Sequence, residues 1–325
     1  MPQYSKRRTR LEGPTNVLLR ESSSPQELRR AATDLHDLLE SISPDLPNVP
    51  ASRLASGAAL SPRDAAACTR DSLRTAVFLR GLNTAIEEGR RRFRDRRIEI
   101  VYAGTGPYAT LAVPLMSRLT PRQVRFTLID VHGSSVASVA RILRYFGFTS
   151  FARELLVCDA TTYRHPPNLP LHIAITETMQ RALSAEPQVA IYRHLATQLH
   201  RRGVMVPQRV VVDLEISAVP ALALSDSTYR TRVGEIFRLS LDGRRQRRDA
   251  SSILTLPLAP ASRKATGMYI THIQAYGRHT LAPGESGLTQ AEIVWELTNL
   301  EAGERIKFRY ELGTTPGIRF ERITE

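Results

Sequence analysis

The sequence predicts an α/β protein: N-terminal helices, then a doubly wound, mostly parallel sheet, then a mostly antiparallel domain expected to close into a β-barrel. Three observations predict it. Between residues 98 and 176, short apolar runs alternate with helical stretches, the grammar of a parallel sheet covered by helices. Upstream, two Ser-Pro-x-acid segments open amphipathic patterns at helical spacing. Beyond Gly203 the apolar runs shorten and are split by Pro, Gly and Asn, as in antiparallel sheets or a barrel. With 325 residues and 42% apolar content the chain buries a substantial core, and its length suits more than one domain.

Taken in order, residues 1 to about 23 read as a flexible basic leader. Ser24-Pro25-Gln26-Glu27 then has the form of a capping box with proline at the first helical position, and Leu28, Ala31, Leu35, Leu38 and Leu39 follow at helical spacing, which predicts a helix to Ile42. Residues 43–60, rich in proline and small side chains, read as a linker. Ser61-Pro62-Arg63-Asp64 opens a long helical stretch through Ala65, Ala66, Leu73, Val77, Leu82 and Ile86 that stops near Gly89. Strands follow at Ile98 to Ala103, Val124 to Asp130, Leu155 to Cys158 and Leu171 to Thr176, with helices at Pro107 to Leu119, Ser134 to Phe146 and Val189 to Arg202, the last broken at Gly203. The strand-rich remainder has runs at 204–206, 210–216, 253–256, 268–275, 292–297, 305–310 and 318–322. Domain boundaries are expected at 1–60, 61–205 and 206–325.

No apolar stretch approaches the roughly 20 residues needed to cross a bilayer, and the N-terminus lacks the apolar core of a signal peptide. Cys68 and Cys158 alone support neither a disulfide framework nor a cysteine metal site, so a soluble cytoplasmic protein without a metal is expected. The net charge of +13 raises nucleic-acid binding. Against it, the clusters Lys6 to Arg10, Arg90 to Arg97 and Arg244 to Arg248 are separated and lack interleaved aromatics.

The candidate chemistry sits at strand ends, where the ligand crevice of a doubly wound sheet lies. The first strand ends in Ala103-Gly104-Thr105-Gly106-Pro107, whose glycines let backbone approach a ligand. The second ends at Asp130 and the third at Asp159, carboxylates suited to a ribose and to an adenine amine. Either aspartate alone is also a common cap or turn former. Three such residues at three successive strand ends point to an adenosine-containing cofactor. The fourth strand ends at Glu177, and Glu186 closes the loop behind it. Two fixed negative charges beside a cofactor suit a cationic substrate.

With these residues the chain resembles the class I methyltransferases that use S-adenosylmethionine, and more narrowly the protein arginine methyltransferases. That family pairs two glutamates on one loop at the spacing of Glu177 and Glu186. Its Asp-x-x-Arg-Thr signature is matched by Asp71-Ser72-Leu73-Arg74-Thr75, and its Thr-His-Trp signature partly by Thr271-His272-Ile273. The matches run in the family's order from about residue 61 to the C-terminus. The resemblance implies a Rossmann-like methyltransferase sheet, with Arg74 on the cofactor's methionine carboxylate and Gly104 and Gly106 lining its turn. It further implies Asp130 on the ribose, Asp159 on the adenine, Glu177 and Glu186 clamping a guanidinium, and an Asp71–His272 pair bridging helix and barrel. A head-to-tail homodimer through an arm within residues 217–250 is implied as well. Read without the family, Asp71 and Arg74 are an i,i+3 ion pair and His272 a packed strand histidine.

The chain also departs from the pattern. Tyr102 stands where an acidic residue is usual, Tyr108 replaces the last glycine of the cofactor loop, Ile273 replaces tryptophan, and Ala58-Ala59-Leu60-Ser61 offers no tyrosine pair upstream of Asp71. A strongly basic enzyme repels cationic Arg/Gly-rich tails. The expected substrate is therefore free L-arginine, methylated on a terminal guanidino nitrogen in natural-product biosynthesis, similar to the enzymes that open nitrosourea pathways. The alternatives are a protein or peptide arginine methyltransferase and, in another class, an inactive scaffold or basic nucleic-acid binder.

Overall fold

The computed structural model describes residues 2–94, 96–217, 230–241, 251–257 and 265–323. The chain opens with helix α1 (Pro2–Leu19), where a flexible leader was expected. Leu11, Thr15 and Leu18 lie along one face of this helix and are fully buried against its neighbours. At its start, Arg7 donates to Tyr145 O and Arg8 to the Phe146 and Gly147 carbonyls. Helix α2 (Pro25–Ile42) begins at the expected capping box: Ser24 accepts from the Glu27 amide and Glu27 from the Ser24 amide.

The expected linker contains a hairpin of β1 (Ser52–Leu54) and β2 (Gly57–Ala59). The long helical stretch is broken into α3 (Pro62–Ala67), a 3-10 turn at Cys68–Arg70, and α4 (Ser72–Arg92). The break falls at Asp71, whose carboxylate caps α4 by accepting from the Arg74 amide.

The central sheet is five-stranded and wholly parallel, in the order β5-β4-β3-β6-β7. Its strands are β3 (Ile98–Ala103), β4 (Val124–Asp130), β5 (Ala152–Val157), β6 (Leu171–Thr176) and β7 (Leu199–Val206). Between them run α5 (Val113–Met116), α6 (Gly133–Phe146) and α7 (Gln188–Ala196). Helix α5 is far shorter than the expected 107–119 helix, because Ala109 adopts φ 43° and interrupts the helical path. Helix α7 stops before Gly203, and β7 runs through that glycine. As an edge strand β7 carries the exposed Arg201-Arg202 pair, which disguised it. Chain order runs outward from β3 to β5, then returns to β6 and outward to β7. The switch point therefore lies between β3 and β6, which pair with Ala103 opposite Thr176.

The C-terminal half forms two antiparallel sheets. One has the order β12-β11-β8-β9, from β8 (Arg209–Ser217), β9 (Arg230–Ser240), β11 (Thr266–Tyr276) and β12 (His279–Leu281), with β13 (Glu292–Ile293) on β11. The other joins β10 (Ser251–Thr255), β14 (Arg305–Glu311) and β15 (Gly317–Ile323). The sheets meet where β9 packs on β10 and β14. Among the described residues the hydrogen-bonded ladders do not close into the expected barrel. Most of the 217–250 segment expected to hold a dimerisation arm lies outside the described residues; its described part is β9. No helix is long and apolar enough to cross a membrane among the described residues.

Candidate active site

Gly104 leaves β3 and Glu177 leaves β6 side by side at the switch point. Gly104 has φ +73°, and a Cβ there stands 2.1 Å from Thr178 Cγ2, so the tight turn has no room for a side chain. The backbone flanking Glu177 is gripped by the buried Gln188. Its Oε1 accepts from the Thr178 amide at 3.0 Å and its Nε2 donates to Thr176 O at 3.1 Å.

The loop between the two glutamates is strained. Ala182, Leu183 and Ala185 have φ of 55°, 54° and 62°, a region that costs a non-glycine residue about 1 kcal/mol or more. Four bonds hold it there. The Ala182 amide donates to Thr271 Oγ1 at 2.9 Å, and Leu183 O accepts from Tyr310 OH at 2.7 Å. The Ala185 amide donates to Pro316 O at 2.9 Å, and Ala185 O accepts from the Ala58 amide at 2.7 Å. That last bond clamps the β1–β2 hairpin onto the loop. Gly57 permits it, with φ +133° and no Cβ to meet Ala185 O at 2.7 Å.

Both glutamates face a crevice. It consists of two adjoining cavities that share Leu60, Ala65, Gly104, Gly106, Glu177 and Glu186. The first extends to Arg74, Cys68 and Tyr102, the second to Asp130, His132 and Asp159. Arg74 forms an ion pair with Glu177 Oε2, and both side chains are largely buried. Glu177 Oε1 is buried without a partner among the described residues.

Burial raises the Glu177 carboxyl above the ordinary range despite the Arg74 charge. Burial and then the Glu177 charge push Glu186 up to about 7. For Arg74, burial opposes the charged form, but Glu177 outweighs it and keeps the guanidinium charged. Burial holds the Tyr102 phenol and the Cys68 thiol neutral. The first cavity thus contains a fixed cation, its partner anion and a second carboxyl that titrates near neutrality. A planar cation fits there, because carboxylates bind guanidinium groups bidentately.

At the far end, Asp130 Oδ2 accepts from the Gly106 amide at 2.8 Å and Oδ1 from the His132 amide at 2.9 Å. Oδ2 keeps a second lone pair for a hydroxyl, whereas Oδ1 also faces His132 Nδ1 at 3.3 Å. Asp159 Oδ1 accepts from the Thr161 amide and hydroxyl at 2.8 and 2.7 Å. His132 Nε2 lies 2.9 Å from Ser52 Oγ, so the hairpin is fastened at this end too.

Seven expected site residues therefore meet on one crevice: Arg74, Gly104, Gly106, Asp130, Asp159, Glu177 and Glu186. The expected Asp71–His272 pair does not form. Asp71 Oδ2 accepts from Ser286 Oγ at 2.7 Å and the Gly287 amide at 3.1 Å, so it bridges α4 to the C-terminal half through a different partner. His272 Nε2 lies 3.2 Å from Asp213 Oδ2 on the neighbouring strand. The reason is strand alternation: Thr271 faces the glutamate loop, so His272 projects from the opposite face of β11. Tyr108, in place of the last loop glycine, packs edge-on to His36 with ring centroids 5.6 Å apart and does not line the crevice. Gln188, Thr271, Tyr310 and the hairpin escaped sequence reasoning; only Thr271 carried a signal, as the first residue of the Thr-His signature.

No protein-family model matches the chain, and no curated protein matches it. Among solved structures it is similar to a chain of the Trypanosoma brucei PRMT1 enzyme–prozyme heterotetrameric complex with AdoHcy. The TM-score is 0.53 and the identity 11%, over 79% of this chain and 92% of that one. The chain shares that protein's fold: N-terminal helices, a parallel α/β sheet and antiparallel C-terminal sheets.

Proposed function

We propose that the protein is an S-adenosylmethionine-dependent methyltransferase acting on a terminal guanidino nitrogen of arginine, with free L-arginine as its substrate. The single observation that carries this reading is the pair of carboxyls on one crevice at the switch point, one of them with a buried oxygen that has no partner among the described residues. The similar structure is a complex with AdoHcy, the demethylated form of that cofactor.

The residues present fit the cofactor. Gly104 keeps the turn clear of side chains, Asp130 Oδ2 retains an acceptor site for a ribose hydroxyl, and Asp159 offers a carboxylate to the adenine amine. Arg74 has donors beyond the one engaged by Glu177 for the methionine carboxylate. When bound, S-adenosylmethionine supplies an electrophilic methyl group on a sulfonium.

The remaining chemistry belongs to the chain. A guanidinium nitrogen is a poor nucleophile because its lone pair is delocalised and its pKa lies above about 12. Glu177 and Glu186 draw positive charge toward the nitrogens they contact and leave the remaining nitrogen freer to attack. A held near-attack geometry contributes roughly 7 to 11 kcal/mol. Glu186, with a carboxyl near 7, is suited to receive the proton that the methylated nitrogen sheds. Tyr102, in place of an acid, leaves the first of the two cavities without a third carboxyl.

The choice of free arginine over a peptide rests on the net charge of +13, which repels cationic tails. A role in natural-product biosynthesis, a homodimeric assembly and domain limits at 61–205 and 206–325 belong to the same reading. The deciding experiment incubates the protein and S-adenosylmethionine with free L-arginine or with an Arg/Gly-rich peptide, followed by mass spectrometry. Methylation of the peptide alone makes the enzyme a protein arginine methyltransferase. Absence of S-adenosylmethionine binding by calorimetry rejects both readings in favour of a scaffold or nucleic-acid binder. Glu177→Gln is expected to abolish turnover and leave cofactor affinity nearly unchanged; undiminished turnover removes Glu177 from the mechanism.

A further inference from the structure

No residue of the β10-β14-β15 sheet lines the crevice, yet this sheet reaches the glutamate loop through the Tyr310 side chain, and the turn leading into β15 through the Pro316 carbonyl. Tyr310 stands on β14, buried and stacked on Phe237 with ring centroids 4.7 Å apart. Its hydroxyl reaches across 127 residues of sequence to the carbonyl of Leu183, itself fully buried. Leu183 and Ala185, both left-handed, flank the extended Ser184 immediately before Glu186. Backbone in that region relaxes unless its surroundings hold it, and relaxation at Leu183 or Ala185 rotates the chain that aims the Glu186 carboxyl.

We propose that Tyr310 is a positioning residue: its hydroxyl pins the Leu183 carbonyl and thereby keeps the strained loop, and Glu186 with it, pointed into the crevice. Thr271 holds the preceding amide from the other C-terminal sheet, so the two sheets grip the loop from both sides of the Ala182–Leu183 peptide. Burial raises the Tyr310 phenol far above neutrality, so the donor is present throughout the working pH range. The catalytic part of this proposal rests on the methyltransferase reading above; the structural part does not.

The test is Tyr310→Phe, which keeps the stacked ring and removes only the donor. Amide hydrogen exchange across residues 182–186 is expected to accelerate about tenfold or more, since the loop then opens at lower free energy. Turnover of arginine is expected to fall about ten- to hundredfold, as for a misaimed catalytic group. Calorimetric affinity for S-adenosylmethionine is expected to stay within about twofold, because the residues assigned to the cofactor do not touch Tyr310. Thr271→Val is expected to repeat the pattern and Thr271→Ser to restore it. Unchanged exchange over residues 182–186 overturns the proposal whether or not the protein methylates arginine. Faster exchange with wild-type turnover overturns the catalytic role. A wild-type protein without turnover instead sinks the methyltransferase reading and leaves exchange as the deciding measurement.

Discussion

Replacing Glu186 with glutamine tests the electrostatics of the crevice without any substrate. The carboxyl is raised from 4.5 to about 7, first by burial and then by the Glu177 charge. Each pKa unit is worth about 1.36 kcal/mol, so ionising Glu186 in the folded protein costs on the order of 3 kcal/mol. The folded state holds this proton between pH 4.5 and about 7 while the unfolded chain has released it, so stability falls as pH rises through that window. Glu186→Gln keeps the shape and removes the charge. Wild type and variant are expected to match near pH 4.5, and by pH 8 the variant is expected to be the more stable by on the order of 3 kcal/mol. Urea unfolding at both pH values measures the gap; guanidinium chloride is unsuitable because its cation resembles the proposed ligand. A variant less stable than wild type at pH 8, or a gap independent of pH, refutes the reasoning. On the proposed function, the same group predicts for the wild-type protein that kcat/KM for arginine rises with pH through about 7, as the clamp gains its second charge.

Arg74→Met strands the buried Glu177 charge, and breaking such a pair costs about 3–5 kcal/mol at neutral pH. The loss is expected to shrink in acid as Glu177 takes up a proton, and calorimetry is expected to show weakened cofactor binding. Gly57→Ala places a Cβ against Ala185 O and asks alanine for φ +133°, so the hairpin is expected to lift from the loop. Faster proteolysis within residues 52–59 and a raised KM check this. His272→Ala is expected to leave turnover within about threefold and to raise the Asp213 carboxyl, which now stands at about 2 with His272 and Arg232 against it, as NMR titration would read. A large loss of turnover returns His272 to the mechanism.

The buried centre of the fold was legible because fully covered parallel strands read as continuous apolar runs. Ile98–Ala103, Val124–Asp130 and Leu171–Thr176 lie where their runs placed them, as does the capped helix Pro25–Ile42. Strand ends carry the crevice residues, so Gly104, Asp130 and Glu177 followed from the strands. Strand β9 was hidden because two register shifts against β8 break its alternation and because Arg230, Arg232 and Arg238 stud it. The partners of Arg230 and Arg232, Glu215 and Asp213 on β8, become visible only once the sheet is paired, whereas Arg238 pairs with Glu235 of its own strand. Hairpin β1–β2 is too short to print a period, and its anchors at His132 and Ala185 are distant in sequence. The partner of His272 was misassigned because a signature gives the order of residues along a strand, whereas the facing strand decides which side chain each one meets.

Helix α1 bears on how a pI of about 10.4 should be understood. Arg7 and Arg8 spend donors on the three carbonyls 145–147 that finish α6, and their guanidinium carbons lie 4.3 and 4.8 Å from the ring centroids of Tyr145 and Phe148. These cations act as an adhesive between the first and sixth helices, neutralising the negative end of a helix instead of a polyanion. A positive formal charge in such a chain is thus partly an inventory of internal fastenings, and it overstates the appetite of the outer surface for phosphate.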